Sequence, residues 1–288
     1  AISCGINVRF SKVSPYLMSF YAVDEAVRNL VCVGADITRG AILDNFCCAN
    51  PNLKDVMGEF AVSAIGAMEA AIGIDMPYIS GKDSFYNQTK VNNRIYKIPV
   101  TLLVSAVAPI YDARNVVSPD IKAPGSPIYI IGEFKKGLGG SIYCEEFGGD
   151  NYISGIDLNQ NRRYYLKIIE SMGKGHILSA HDVSDGGFLT SVFEMGLNGK
   201  GIEINIGFIK DIYRLCDAEI LFGECGSRII VEVDAKKERE FLKTMKGVPL
   251  LRAGSTLHGS SFILREHGRI IFDDDVTKLR SLWERKIL

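Results

Sequence analysis

The stretch Pro119-Asp120-Ile121-Lys122-Ala123-Pro124-Gly125-Ser126-Pro127, followed at once by Ile128-Tyr129-Ile130-Ile131, decides how the chain is organised. Proline removes a backbone donor and glycine loosens the backbone, so the first segment reads as a linker. The apolar run after it reads as a buried strand. The pattern restarts there, which predicts two blocks, 1–118 and 125–288. Upstream, Ser14-Pro15 is a helix start and Gly34 a helix stop, with Phe20, Val23, Val27, Leu30 and Val31 along one face. A second helix, Val56 to Ile74, is rich in Ala and Gly and suited to close packing. Pro77 opens a short strand leading into a loop at Gly81, and a long apolar strand runs from Ile98 to Ile110. Downstream the pattern predicts a glycine-dense loop from Lys135 to Gly149, helices at 162–172, 188–197 and 236–245, a strand at 229–233, a hairpin at 262–272 and a closing helix at 276–287. Mixed strands and helices in two blocks indicate an α/β or α+β protein.

Composition narrows the function. Lys plus Arg number 33 against 34 Asp plus Glu, so bulk electrostatic binding to nucleic acid is excluded. Seven cysteines, at 4, 32, 47, 48, 144, 216 and 225, include no Cys-x-x-Cys pair. They predict reduced, mostly buried thiols in a cytoplasmic protein. No apolar run approaches the roughly 18 residues of a membrane span, and the N-terminus shows no signal pattern and reads as a chain picked up in mid-domain.

Two segments stand out chemically. Ser80-Gly81-Lys82-Asp83-Ser84 offers close backbone approach, a cation for phosphate, a hard oxygen ligand for magnesium and a hydroxyl donor. It is not a Walker A loop, and a surface turn stabilised by Asp and Ser accounts for it as well. His181-Asp182-Val183-Ser184-Asp185-Gly186-Gly187 precedes an apolar helix and suits metal coordination beside a helix N-terminus. Here too a second reading stands: Ser184 or Asp185 capping the helix. Glu25 and Asn29 sit four apart on the polar face of the first helix, as an ordinary solvated pair would. Asp44-Asn45-Phe46 and Leu138-Gly139-Gly140-Ser141 read as polar loops.

The order of these elements carries more than any one of them. Ala22-Val23-Asp24-Glu25-Ala26-Val27-Arg28-Asn29, Val33-Gly34-Ala35, Leu43-Asp44-Asn45-Phe46, Ser80-Gly81-Lys82-Asp83-Ser84-Phe85-Tyr86-Asn87, Ile98-Pro99-Val100-Thr101, Leu138-Gly139-Gly140-Ser141 and Ala180-His181-Asp182-Val183-Ser184-Asp185-Gly186-Gly187 together resemble the C-terminal half of the phosphoribosylformylglycinamidine synthase family. The resemblance covers nearly the whole chain. It implies an aminoimidazole ribonucleotide synthetase-like unit: an N-terminal α/β domain that forms half of a barrel and a C-terminal α+β domain. It implies ATP or ADP with magnesium as cofactors, a ribonucleotide substrate, and ammonia from a glutaminase component. The partner is the N-terminal half of the synthase or a second copy of the chain. Magnesium ligands are implied at Glu25, Asn29, Asp83 and Asp182, and nucleotide or substrate contacts at Asp44, Gly81, Lys82, Ser84 and Ser184. Lys82 replaces a frequent metal-ligating Asn, so it is expected on phosphate, with Asp83 taking the metal role. His181 is given a positional role. The family's acid/base histidine belongs to the other half, and no catalytic residue is assigned in this chain. A strand bearing a further metal-binding Asp is expected upstream of Glu25, beyond the start of the sequence. The isolated chain is expected to be inactive, as half of a catalytic site or as a structural half holding Mg-ADP. Another homodimeric ATP-dependent member of the superfamily is the third reading.

Overall fold

A computed structural model of the chain describes residues 1–285. The first block contains β1 (Ile2–Ile6), α1 (Val8–Ser11), α2 (Pro15–Cys32), β2 (Ala41–Cys47), α3 (Lys54–Ile74), β3 (Tyr78–Ser84), the hairpin β4 (Gln88–Val91) and β5 (Arg94–Lys97), and β6 (Thr101–Val107). The second contains β7 (Pro127–Ile131), α4 (Ile142–Phe147), α5 (Leu158–Gly173), β8 (Ile177–Asp182), α6 (Gly187–Met195), β9 (Ile202–Asn205), α7 (Gly207–Tyr213), α8 (Asp217–Phe222), β10 (Ile229–Val233), α9 (Glu238–Thr244), β11 (Leu250–Thr256), β12 (Ser261–Glu266), β13 (Arg269–Asp275) and α10 (Val276–Trp283). Residues 116–126 carry neither helix nor strand.

The first sheet has the order β1-β6-β2-β3. Its β2 and β3 run parallel, joined by α3, and its other pairs are antiparallel. One face is covered by α2 and α3; the other, which carries Ile2 and Ile6, is open. The second sheet has the order β13-β12-β9-β11-β7-β10-β8. Its central strands β7 and β10 are buried at every position, because helices cover both faces. Tyr129, Ile131, Ile229, Val231 and Val233 join a core shared with α2 and α5. Ile128, Ile130 and Ile230 pack on the opposite face against α6 and its neighbours. Helix α2 therefore lies between the two sheets and is buried along most of its length. Ser14 starts it, its hydroxyl accepting from Leu17 N at 3.2 Å, with Pro15 in the first turn. Gly34, at φ +77°, ends it.

Several expectations are corrected. Gly81 and its neighbours lie in strand β3, not in a loop or a turn, and Asp44 lies in β2. The β3 segment is polar because β3 is the sheet edge and has little apolar surface to bury, whereas β2 is an interior strand with Ile42 and Phe46 buried on either side of Asp44. A strand does precede Glu25 within the chain, β1, and it carries no Asp; the Asp-bearing strand is expected before residue 1. The 135–149 segment contains α4, started by Ser141, whose hydroxyl accepts from Cys144 N at 3.1 Å. The closing helix ends at Trp283, short of 287; positions 286 and 287 lie outside the described residues. Of the cysteines, only Cys32, Cys48 and Cys225 are buried, while Cys4 and Cys216 are exposed. Helix α3 is long and apolar enough, by length and composition alone, to cross a membrane, although Glu59 and Glu69 interrupt its apolar run. It packs one side on α2, and Met57, Val62, Ile65, Met68 and Ile72 on its other side are exposed.

Candidate functional site

Two groups of motif residues form, and they are separate. The first lies where α2 crosses the end of β8. Arg28 is almost fully buried between two carboxylates: it pairs with Asp24 one turn earlier and approaches Asp182 at 3.6 Å. Tyr165 donates its hydroxyl to the other oxygen of Asp24 at 2.6 Å. A buried cation is tolerated only when its charge is matched, and here α2 supplies one carboxylate and β8 the other.

Around this pair stand Glu25, Asn29, His181 and Ser184. Glu25 accepts from Ile6 N at 2.9 Å and from Asn7 Nδ2 at 2.8 Å, both on Oε2. Asn29 donates through Nδ2 to Cys4 O at 3.2 Å. Asp182 is buried, and its Oδ2 has no hydrogen-bond partner among the described residues. Glu25 Oε1 and Asn29 Oδ1 are free of hydrogen bonds among the described residues, while Asp182 Oδ2 is the oxygen that faces the Arg28 guanidinium at 3.6 Å. A cavity of about 210 Å³ opens beside them, lined by Asn29, Cys32, Val117, Pro119, His181 and Asp182.

The electrostatics are those of a crowded acidic site. Burial pushes the Glu25 carboxyl up to about 7, against the pull of the Arg28 charge and the Ile6 amide. Burial also acts to raise Asp182, but the hydrogen bond from His181 and the charge of Arg28 win, and its pKa is lowered. His181 is raised to about 10 despite burial, through its contacts with Asp182 and Glu194; its Nε2 lies 3.2 Å from Glu194 Oε2. Its Nδ1 lies 2.7 Å from the Asp182 carbonyl oxygen and 3.5 Å from Asp182 Oδ1. Among the described residues no three His, Cys, Asp or Glu side chains converge closely enough to hold a metal ion by themselves. Glu25, Asn29 and Asp182 offer two carboxylate oxygens and an amide oxygen, and magnesium commonly completes such a set with phosphate and water.

The second group lies on β2 and β3. Asp44 is paired in register with Gly81, and a Cβ at Gly81 would come within 2.1 Å of the Asp44 carboxylate. Glycine leaves the room that the carboxylate occupies. Burial and the neighbouring Asp83 charge raise the Asp44 pKa. Strand alternation puts Gly81 and Asp83 on the side of Asp44, and Lys82 and Ser84, hydrogen-bonded to each other, on the open face. The first group begins beside the end of β1, at the opposite edge of the sheet, about 14 Å away at three strand spacings. Within one chain, Asp83 has no contact with Glu25, Asn29 or Asp182.

The helix-capping reading of Ser184 and Asp185 is not what forms. Gly186 occupies the cap position of α6 at φ +78°, with no side-chain cap. Its N–H donates instead to Glu224 Oε1 at 2.9 Å, and Asp185 pairs with Arg9. Arg9, Arg28 and Glu224 escaped sequence reasoning. The i,i+4 spacing of Asp24 and Arg28 was the one available signal.

A family model described as AIR synthase related protein, C-terminal domain, matches residues 123–268. The phosphoribosylformylglycinamidine synthase subunit PurL of Thermoplasma volcanium is 32% identical over 285 residues, which is 98% of this chain and 36% of that protein. The chain therefore spans little more than a third of that relative's length. Among solved structures, T. maritima PurL complexed with FGAR superposes with a TM-score of 0.74 at 17% identity, covering 97% of this chain and 45% of that one. T. maritima PurL complexed with ATP gives 0.74 at 17% identity, with 100% and 45% covered. At these identities the structural likeness establishes a shared fold.

Proposed function

As the chain belongs to the AIR synthase-related family, we propose that it is the C-terminal, nucleotide-binding half of a phosphoribosylformylglycinamidine synthase acting in purine biosynthesis in the cytoplasm. The reaction joins formylglycinamide ribonucleotide, ATP and ammonia into the amidine, ADP and phosphate. The amide oxygen takes the γ-phosphoryl group, and ammonia then displaces it as phosphate. The observation that carries the reading is the gathering of Glu25, Asn29 and Asp182 about the buried Arg28, with Asn29 and Asp182 lining a cavity and Glu25 and Asn29 each keeping an oxygen free of hydrogen bonds. Magnesium, when bound, offsets charge on the phosphate oxygens.

The chain's own residues do the rest. Arg28 holds Asp182 ionised, His181 fixes its direction, and Asn7 and the Ile6 amide hold Glu25 in place. Ser184, hydrogen-bonded to Asp182, is assigned a nucleotide contact. Asp44, Gly81, Lys82, Asp83 and Ser84 form the part that meets the other half. They stand at the open edge of the sheet, where Lys82 and Ser84 face outward to phosphate or substrate and Asp83 takes its metal role once the sheets pair. The synthase's other half and a glutaminase component supply the remaining machinery.

Titration calorimetry of the purified chain with ADP and magnesium tests the reading. Binding that requires both, and that falls at least tenfold in Asp182→Asn, is expected. Equal affinity in Asp182→Asn, or no binding by the unmodified chain even with the other half present, would refute the site. Amidine formation restored by adding the other half, and lost again in Asp83→Asn, separates a catalytic half from a structural one. In the structural case that substitution lowers only the melting temperature.

A further inference from the structure

Two of the sequence motifs, Leu138–Ser141 and His181–Gly187, have no contact through their own side chains that explains why they lie together. The link is a third residue that no motif contains. Glu224, 5% exposed, follows α8 and sits under both loops. Its Oε1 accepts from Ile142 N and from Gly186 N, each at 2.9 Å. These are orphan amides at the starts of α4 and α6, which no turn of helix can satisfy. Arg9 closes the arrangement from the side of α1. Its Nε donates to Gly140 O at 3.2 Å, and its guanidinium reaches Asp185 and, at 3.5 Å, Glu224 Oε2. Gly140, Ser141 and Arg9 line a small cavity of about 150 Å³ beside this node.

A carboxylate is a costly group to bury unless it holds something in place. Here it holds Gly186, two residues beyond Ser184 and four beyond Asp182. We propose that Glu224, braced by Arg9, is a positioning residue: it locks the 182–187 segment against the 139–142 segment, and so fixes the direction in which Ser184 and Asp182 present their oxygens to a Mg-nucleotide. The ligand part of this inference rests on the nucleotide reading above; the coupling of the two loops does not.

The test separates them. Amide hydrogen exchange on the ligand-free chain reads the coupling, and titration with ADP plus magnesium reads its consequence. Glu224→Ala is expected to speed exchange at both 139–142 and 184–187, leave β10 unchanged and weaken ADP binding by about tenfold or more. Glu224→Gln retains an oxygen acceptor at the same place, so it should restore slow exchange and most of the affinity. Arg9→Met, at a partly exposed side chain, gives the same paired loosening in weaker form and serves if Glu224→Ala does not fold. Loosening of one segment without the other, in whichever variant folds, would overturn the coupling. Paired loosening with unchanged ADP affinity would overturn the positioning role. A wild-type chain that shows the paired exchange but binds no ADP would overturn the nucleotide reading and leave the loop coupling standing.

Discussion

Glu224 also sets a pH dependence that can be worked out at the level of one side chain. Burial raises its carboxyl to about 7, although the Ile142 and Gly186 amides and Arg9 pull it down. A carboxyl whose folded pKa lies above its unfolded value binds its proton more tightly when folded. The stability it contributes is complete below about pH 4.5, the unfolded value, and is lost as pH rises through about 7. Glu25 behaves in the same direction for the same first cause, burial. The ligand-free chain should therefore be more stable at pH 5.5 than at pH 8, with each of these groups supplying at most about 2 kcal/mol of the difference. Glu224→Gln keeps the oxygen acceptor and cannot titrate, so urea unfolding at the two pH values should show its share of the slope removed. An unchanged slope would mean that Glu224 stays ionised across the window. Arg28 is the contrasting residue: its charge is matched by Asp24 and Asp182, so it adds no slope near neutrality.

At the scale of elements, the position of α2 governs the site, because Glu25, Arg28 and Asn29 all ride on it. Gly5 in β1 is where strand and helix come closest. A Cβ there would lie 2.2 Å from Ala22 O and 2.6 Å from Ala26 N, both backbone atoms that cannot swing aside. Gly66 of α3 fits Tyr16 O at 2.5 Å in the same way on the helix's other side. Gly5→Ala should force α2 off β1, costing roughly 2–3 kcal/mol as overpacking does. It should also break the Ile6–Glu25 hydrogen bond, so that thermal denaturation and Mg-ADP affinity fall together. A lower melting point with intact affinity would show that the site tolerates the shift. Helix α2 was legible in the sequence because its cap, its proline and its glycine stop are local signals. Strand β2 was not legible as a strand, and of β3 only the start after Pro77 was. Asp44-Asn45 and Gly81-Lys82-Asp83 look like loop residues, and β3, as an edge strand, needs no apolar alternation to betray it. Glu25, Asn29 and Asp182 were legible only through the order of motifs. Arg9 and Glu224 were not legible at all, because their meaning lies in contacts between segments far apart in the chain.

The whole molecule explains why the two groups of site residues stand apart. The open face of the first sheet carries Ile2, Ile6 and Val107, all more than a third exposed, and register puts Leu103 between Ile6 and Asn45 on that face. Cross-strand alternation places Lys82 and Ser84 there too. The unpaired edge of β3 borders the face, and exposed apolar residues of α3 lie behind it. A sheet with an apolar face in water and an unpaired edge at β3 is incomplete as a structural unit. Pairing it with a second sheet would cover the face, and would bring the Asp44–Ser84 group of one unit toward the α2–β8 group of the other. The chain without its other half should then pair with itself. Sedimentation at tens of micromolar should give a dimer in exchange with monomer, and Leu103→Glu, which puts a charge on the open face, should give monomer with a melting temperature nearly unchanged. A monomeric wild-type chain, or a Leu103→Glu variant that still dimerises, would mean that this face does not mediate pairing and that the β2–β3 group must find its partners elsewhere.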